Sequence, residues 1–320
     1  MKKYIALFLA AVAILCQADI SYAKTSQTII NGGSSNKVIA STRNVNKSVS
    51  VTPFNKISVS NGIKVCYTQS RKTAVSLYAP NNVVNYVVVK VSGKKLDIRY
   101  KKGVTIDYGK NTQAPVVYVL APDVYDFEAE SGSVIEISDD LNCNNKIELE
   151  ASSGAKITTK DLTAINVSIE SESGALVNVA EVNCTKFELE TESGSQTSVK
   201  SVKATTADIE ASSGSQANVK KAVCGTVKTD ASSGSKISVA GINAQNVDAK
   251  SSSASDIMLS GKAGFANFNA TSVSTISAKN LKVSNGTVKT SSQSKINCNI
   301  DKVTSSRNTS GQVTNNGKNM

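Results

Sequence analysis

The chain has 320 residues, 40% of them hydrophobic, which is enough for a sizeable core; only 5% are aromatic and tryptophan is absent, so that core must be built from Val, Ile, Leu and Ala at regular spacing. The formal charge is +11 and there is no histidine, which removes the commonest general base and metal ligand. The lysines are scattered and there are only four arginines, a distribution that argues against a nucleic-acid-binding stripe.

The first element is a leader. Lys2 and Lys3 precede an apolar run from Tyr4 to Leu15 that is too short for a membrane span, and Ser21-Tyr22-Ala23 is a small-x-small cleavage site. Residues 1–23 are therefore expected to be a signal peptide. Cys16 follows the bulky Leu15, where a lipobox needs a small residue, which counts against lipidation. Losing the leader removes two lysines and one aspartate, so +11 becomes +10. No later run of about 18 apolar residues is present, so no transmembrane segment is expected after cleavage. The expected location is exported: periplasm, outer surface or extracellular medium.

Residues 24–50 read as an extended lead-in rich in Asn, Ser and Gly. Residues 51–127 read as an N-terminal β region that caps the repeats beginning at residue 128. Strands are legible there at 57–59, 63–67, 74–77, 86–91, 96–100 and 116–120, with turns at Asn61-Gly62, Pro80-Asn81 and Ser92-Gly93. All seven tyrosines beyond the leader lie between Tyr67 and Tyr125.

Residues 128–303 are a repeat. Gly132, Gly154, Gly174, Gly194, Gly214 and Gly234 are 22, 20, 20, 20 and 20 residues apart, and the series continues as Ala254, Val273 and Gln293. A serine precedes every one of these nine positions, from Ser131 to Ser292, and Ser or Ala always follows. Apolar pairs such as Ile147/Leu149, Val167/Ile169 and Phe187/Leu189 alternate with polar residues before each corner, and Ile135, Ile157, Val177, Thr197, Ala217, Ile237, Ile257, Ile276 and Ile296 stand three residues after it. Period-two alternation means half-buried strands. A 20-residue unit that cannot bury its own apolar face must stack on copies of itself. The predicted fold is all-β, a single-stranded parallel β-helix with one unit per coil and equivalent residues about 4.8 Å apart. A propeller blade needs about 40 residues. The glycines are expected to supply a backbone conformation closed to other residues, and the Ser131-to-Ser292 column to exchange hydroxyl hydrogen bonds along the stack. Residues 304–320 read as a frayed polar tail.

The five cysteines after the leader, Cys66, Cys143, Cys184, Cys224 and Cys298, are odd in number and form no CxxC pair. Buried single thiols are expected rather than a disulfide framework.

The segments "NGGSSNKVIASTRNV" (31–45), "FNKISVSNGIKVCYTQ" (54–69), "KKLDIRYKKG" (94–103) and "VVYVLAPDV" (116–124), together with the Ser-Gly-Ser/Ala repeats after them, resemble the bacterial family named putative auto-transporter adhesin, head GIN domain (DUF2807), common in Bacteroidetes. The resemblance implies a secreted or surface β-helix of right-handed, pectin-lyase-like type, and it carries no catalytic residues to transfer. The corner glycine is lost from the last three repeats, so those coils are expected to be less regular or to serve as a cap.

One polar feature repeats on the outer face. Glu150, Glu170, Glu190, Glu210 and Asp230 each stand four residues before a corner glycine, so the coil stacks them about 4.8 Å apart. In water, neighbouring charges at that spacing repel by roughly 0.9 kcal/mol. One reading is a calcium strip, since calcium takes several oxygen ligands. The other is a solvated ladder balanced by Lys146, Lys156 and Lys186; the lack of an Asp/Asn-Gly calcium loop favours this one. No cofactor is expected. No catalytic residues are expected either, because GxSxG is absent and the many equivalent serines include none singled out by a base. The function expected is a non-enzymatic adhesin that meets glycans or other cell-envelope components. The alternatives are a carbohydrate-active enzyme on a pectin-lyase-like β-helix and a purely structural envelope protein.

Overall fold

The computed structural model describes residues 36–110 and 112–320, and every regular element among them is a strand. The residues read as a signal peptide lie outside the described ones. The fold is all-β and wound as a parallel β-solenoid of about 20 residues per coil, in agreement with the repeat. It divides into two compact units, one of residues up to Leu141 with Leu149–Lys160, the other of Asn142–Glu148 with Asp161–Met320.

In the first unit, parallel winding starts well before the serine-glycine repeats. Lys56–Val59 lies between Lys95–Tyr100 and Asp126–Ala129. Lys64–Gln69 lies between Val116–Ala121 and Val134–Ile137, which in turn pairs with Lys156–Thr159. This register stacks Leu96, Ile57 and Phe127 in one column and Val117, Val65, Ile135 and Ile157 in another, all at 0% exposure. Each such side chain contributes about 1.5–3 kcal/mol of hydrophobic stabilisation. Tyr67 packs edge-on to Phe127 at 5.1 Å and donates its hydroxyl to the Ala121 carbonyl at 2.9 Å. The antiparallel part consists of Asn44–Val49 on Ala74–Pro80, Ala74–Pro80 on Val116–Ala121, and the hairpin of Val87–Ser92 with Lys95–Tyr100. The lead-in thus contains paired strands, since Asn36–Ile39 also runs parallel to Val104–Asp107.

In the second unit the register is regular from Asn166 to Val239. Val167, Phe187, Ala207, Val227 and Val247 share one buried column, the large Phe187 sitting over the small Ala207. Val177, Thr197, Ala217, Ile237, Ile257, Ile276, Ile296 and Val313 share another. Register shifts enter between Val239 and Ile242, Met258 and Ser260, and Ser277 and Lys282. The first separates the last glycine-cornered coil, that of Gly234, from the next one, and the others, with a further shift between Gly286 and Thr287, lie among the coils without a corner glycine, which are the less regular ones.

The corners differ from expectation in two ways. Both central residues are left-handed, not glycine alone: Ser213 has φ 54° and Gly214 φ 74°. With the Ser215 N–H donating to the Ser212 carbonyl at 3.2 Å, this is a type I′ turn. Ser253-Ala254, Ser272-Val273 and Ser292-Gln293 keep the same conformation without glycine. Secondly, the serine column that forms the hydroxyl bonds is the one after the corner. Ser195, Ser215, Ser235, Ser255, Ser274 and Ser294 are buried, and each donates its hydroxyl at 2.6–2.7 Å to the carbonyl of Ser171, Thr191, Ala211, Ala231, Ser251 or Ala270 respectively. The backbone links the corners as well: the N–H groups of Gly194, Gly214 and Gly234 donate to the carbonyls of Ser213, Ser233 and Ser253 at 3.0–3.1 Å.

The polar tail is not frayed. Lys295–Thr309 runs through it, Gln312–Asn315 pairs parallel with Lys295–Cys298, and Lys318–Asn319 folds back antiparallel. Val313, 2% exposed, lies on Ile296 and extends the apolar column to the end of the chain.

Candidate functional site: an acidic face on the coil

Strands with alternating burial project every second side chain outward, so parallel in-register pairing turns one outward position into a column. In the second unit, Glu170 pairs with Glu190, Glu190 with Glu210, Glu210 with Asp230 and Asp230 with Lys250. Four of the five predicted carboxylates are therefore brought into one exposed ladder that ends on a lysine. Glu150 belongs to the first unit, at an outward position of Lys146–Ala151.

The ladder is one column of a wider field. Glu188 and Asp208 pair in the column beside it, followed by Lys228 and Asp248. Burial pushes the carboxyl of Glu190 above its ordinary pKa, and so does the repulsion of Glu192, Glu170, Glu210 and Glu172. Glu210 is raised by burial and then by Asp208 and Asp230, with Lys250 opposing. Asp230 is raised chiefly by burial; Lys250 opposes the shift while Asp208 and Asp248 add to it. Sequence reasoning assigned Lys146 and Lys186 to balance the ladder, but their ammonium groups pair with Glu148 and Glu188 in the neighbouring column. Among the described residues, no group of three or more His, Cys, Asp or Glu side chains is placed to hold a metal ion. The ladder is a row, whereas calcium needs ligands arranged around it.

In the first unit the same outward positions carry a compact charged group. Lys56 reaches Asp126 at 3.2 Å and Glu128 at 3.3 Å, and Lys95 reaches Glu128 at 3.7 Å. Burial alone would raise Glu128, but Lys56 and Lys95 more than offset it and hold its carboxyl below the usual range. Glu130, two residues along, is raised by burial and by Glu128. Both lysines are committed to structural ion pairs.

The corner serines among the described residues make structural hydrogen bonds. The buried column donates to backbone carbonyls. The half-buried Ser212 of the corner donates its hydroxyl to Glu192 Oε1 at 3.1 Å. Cys143, Cys184, Cys224 and Cys298 are free thiols, and the wholly buried Cys66 is not among them. Burial pushes the Cys184 thiol up to about 12, with Cys224 adding to the shift, so it is not a nucleophile at neutral pH. No helix among the described residues is long and apolar enough to cross a membrane.

Comparison with known proteins gives a consistent picture. A putative adhesin of Parabacteroides distasonis, solved by crystallography, superposes with a TM-score of 0.59 at 18% identity, covering 78% of this chain and 99% of its own. One from Parabacteroides merdae superposes with a TM-score of 0.58 at 16% identity, covering 88% and 99%. A second Parabacteroides distasonis protein, named a putative lipid binding protein, gives 0.51 at 11% identity, with the same coverage of 88% and 99%. At these identities the likeness is one of fold. No curated protein matches. The family described as "Putative auto-transporter adhesin, head GIN domain" matches residues 53–241 and 221–318, and the chain belongs to that family.

Proposed function

We propose that this protein is an exported, surface-associated, non-enzymatic adhesin that engages glycans or other cell-envelope components. The observation that best supports this reading is the outer face of the second unit, where the same polar positions recur in register on successive coils. Such a surface suits many weak contacts that add up through multivalency. The leader-like residues 1–23 support export, and family membership supports the adhesin role.

The test is a glycan array probed with residues 24–320, run beside reducing-end and unsaturated-product assays on acidic polysaccharides. Binding without turnover is the expected result. Product release would replace the reading with a carbohydrate-active enzyme. Silence in both would leave a structural envelope protein. Binding confined to lipid vesicles would turn attention to the neighbour named for lipid.

A further inference from the structure

On three successive coils in the middle of the second unit the acids stand on the strand before the corner, whereas on other coils Glu181, Asp256 and Asp301 stand after it, Glu181 sharing a column with Ser201. In the stretches after the corner, residues 196–206, 216–226 and 236–246, there is no Asp or Glu, and there are five lysines: Lys200, Lys203, Lys220, Lys221 and Lys236. Lys200 and Lys220 hold equivalent places on adjacent coils, since the Lys220 N–H donates to the Val199 carbonyl at 3.0 Å. Lys221 stands beside them, its carbonyl accepting the Val202 N–H at 2.8 Å. The column of Lys203 continues through Val223 and Asn243 to Lys262 and Lys282. The side chains are exposed, and among the described residues none of Lys200, Lys203, Lys220, Lys221, Lys262 or Lys282 has a carboxylate within ion-pair distance.

Interleaving these lysines with the acids would have relieved the repulsion along the ladder. The chain instead keeps ammonium groups without an ion-pair partner on four of five successive coils, with Asn243 on the coil between, a span of about 19 Å at 4.8 Å per step. We infer that this lysine ridge is a binding surface for an anionic polysaccharide, one with a carboxylate or sulfate on successive sugars, laid along the stacking direction. The inference rests on the adhesin reading and names its ligand class.

Two other occupants fit less well. A second copy of the chain could offer its acidic face, but each copy carries a positive net charge and the two repel as wholes. A nucleic acid would be expected to meet arginine and aromatic side chains, and the coils offer no arginine between Arg99 and Arg307 and no tyrosine after Tyr125.

The experiment is biolayer interferometry of residues 24–320 on immobilised polygalacturonate and heparin, with neutral dextran as control. Both polyanions are expected to bind, with affinity falling as salt screens the contacts. The variant K200E/K203E/K220E/K221E is expected to lose about tenfold or more, K200Q/K203Q/K220Q/K221Q to lose less, and E190Q/E210Q to bind at least as tightly as wild type. An unchanged melting curve certifies the fold of each. Wild-type binding by the quadruple variants overturns the ridge, as does salt-dependent self-association or binding to DNA or anionic vesicles with no affinity for the polysaccharides. Binding confined to neutral glycans on the array would overturn the ridge while leaving the adhesin reading intact.

Discussion

The side-chain amide of Asn315 grips the backbone of Ile300 from both sides: its Nδ2 donates to the Ile300 carbonyl at 3.0 Å, and its Oδ1 accepts the Ile300 N–H at 2.9 Å. The amide thus does for the last coil what a neighbouring strand does elsewhere, and it satisfies two groups that a sheet edge leaves open. Replacing Asn315 with Leu should cost about 1–3 kcal/mol, the penalty of leaving backbone polar groups unpaired. Hydrogen exchange should locate the loss, with the Ile300 amide exchanging faster while the amides of Val199 and Val219 stay protected.

Val273 holds a left-handed φ of 64° at a position where the regular coils use glycine, and it is 62% exposed. A β-branched residue is strained there by about 1–2 kcal/mol, while glycine adds about 0.5–1 kcal/mol of unfolded-state entropy. Val273→Gly should therefore stabilise by up to about 1 kcal/mol. The reverse change, Gly194→Val, should destabilise by a similar amount through conformation alone, because a Cβ at Gly194 meets nothing within 4 Å. Chemical denaturation of the two variants checks both signs.

Ser215 and Ser213 flank the same glycine but should respond differently to alanine. The Ser215 hydroxyl is buried and bonded to the Thr191 carbonyl at 2.6 Å, so Ser215→Ala should cost about 1 kcal/mol. Ala155 and Ala175 already occupy the equivalent place, which indicates that the variant will fold. Ser213 is exposed, and Ser213→Ala should be close to neutral. Equal losses in thermal melts would contradict this account of the corner.

The acidic ladder sets a pH dependence. Glu190, Glu210 and Asp230 are raised above ordinary values of 4.5 and 3.8, so the folded state holds their protons more tightly than the unfolded state. Their contribution to stability is full below those ordinary values and is lost as pH climbs through the raised ones. Melting temperature at low salt should therefore fall from this source as pH rises from the ordinary carboxylate range. E190Q/E210Q should flatten the slope and stabilise the protein at neutral pH. Added salt should shrink the difference.

Burial raises the thiols of Cys184, to about 12, and Cys298, to about 11, and raises Cys224 as well. At mildly alkaline pH all three should resist iodoacetamide until the chain is unfolded. Peptide mass spectrometry before and after denaturant would show it, and rapid labelling of Cys184 in the native protein would contradict the burial.

The winding of the chain was legible in the sequence because a parallel coil places equivalent residues at one period, and nine serines mark that period without a gap. The Ile237-to-Ile296 column was visible for the same reason. The partners of the serines were not: periodicity says that positions are equivalent, not which way a hydroxyl points. The rule that only Ser or Ala follows the corner was the available signal, since only a small side chain fits the buried place that Ser215 and Ala175 occupy. The tail read as frayed because its composition is polar, and one buried Val313 and one Asn315 were enough to order it. In the candidate site, the spacing placed four carboxylates on one column. The lysines looked scattered along the chain because they were not counted from the corner; measured that way, Lys200 and Lys220 both stand six residues past the glycine.

The bond from Gly194 to Ser213, and from Gly214 to Ser233, uses backbone atoms only and is the same on each step. A block of 20 residues duplicated or deleted in frame would bring its own donor and its own acceptor, and the ends it joins would find the same partners as before. The length of the second unit is thus open to genetic expansion and contraction in steps of about 4.8 Å. Relatives could vary the reach of the surface they present while leaving both termini of the solenoid unaltered.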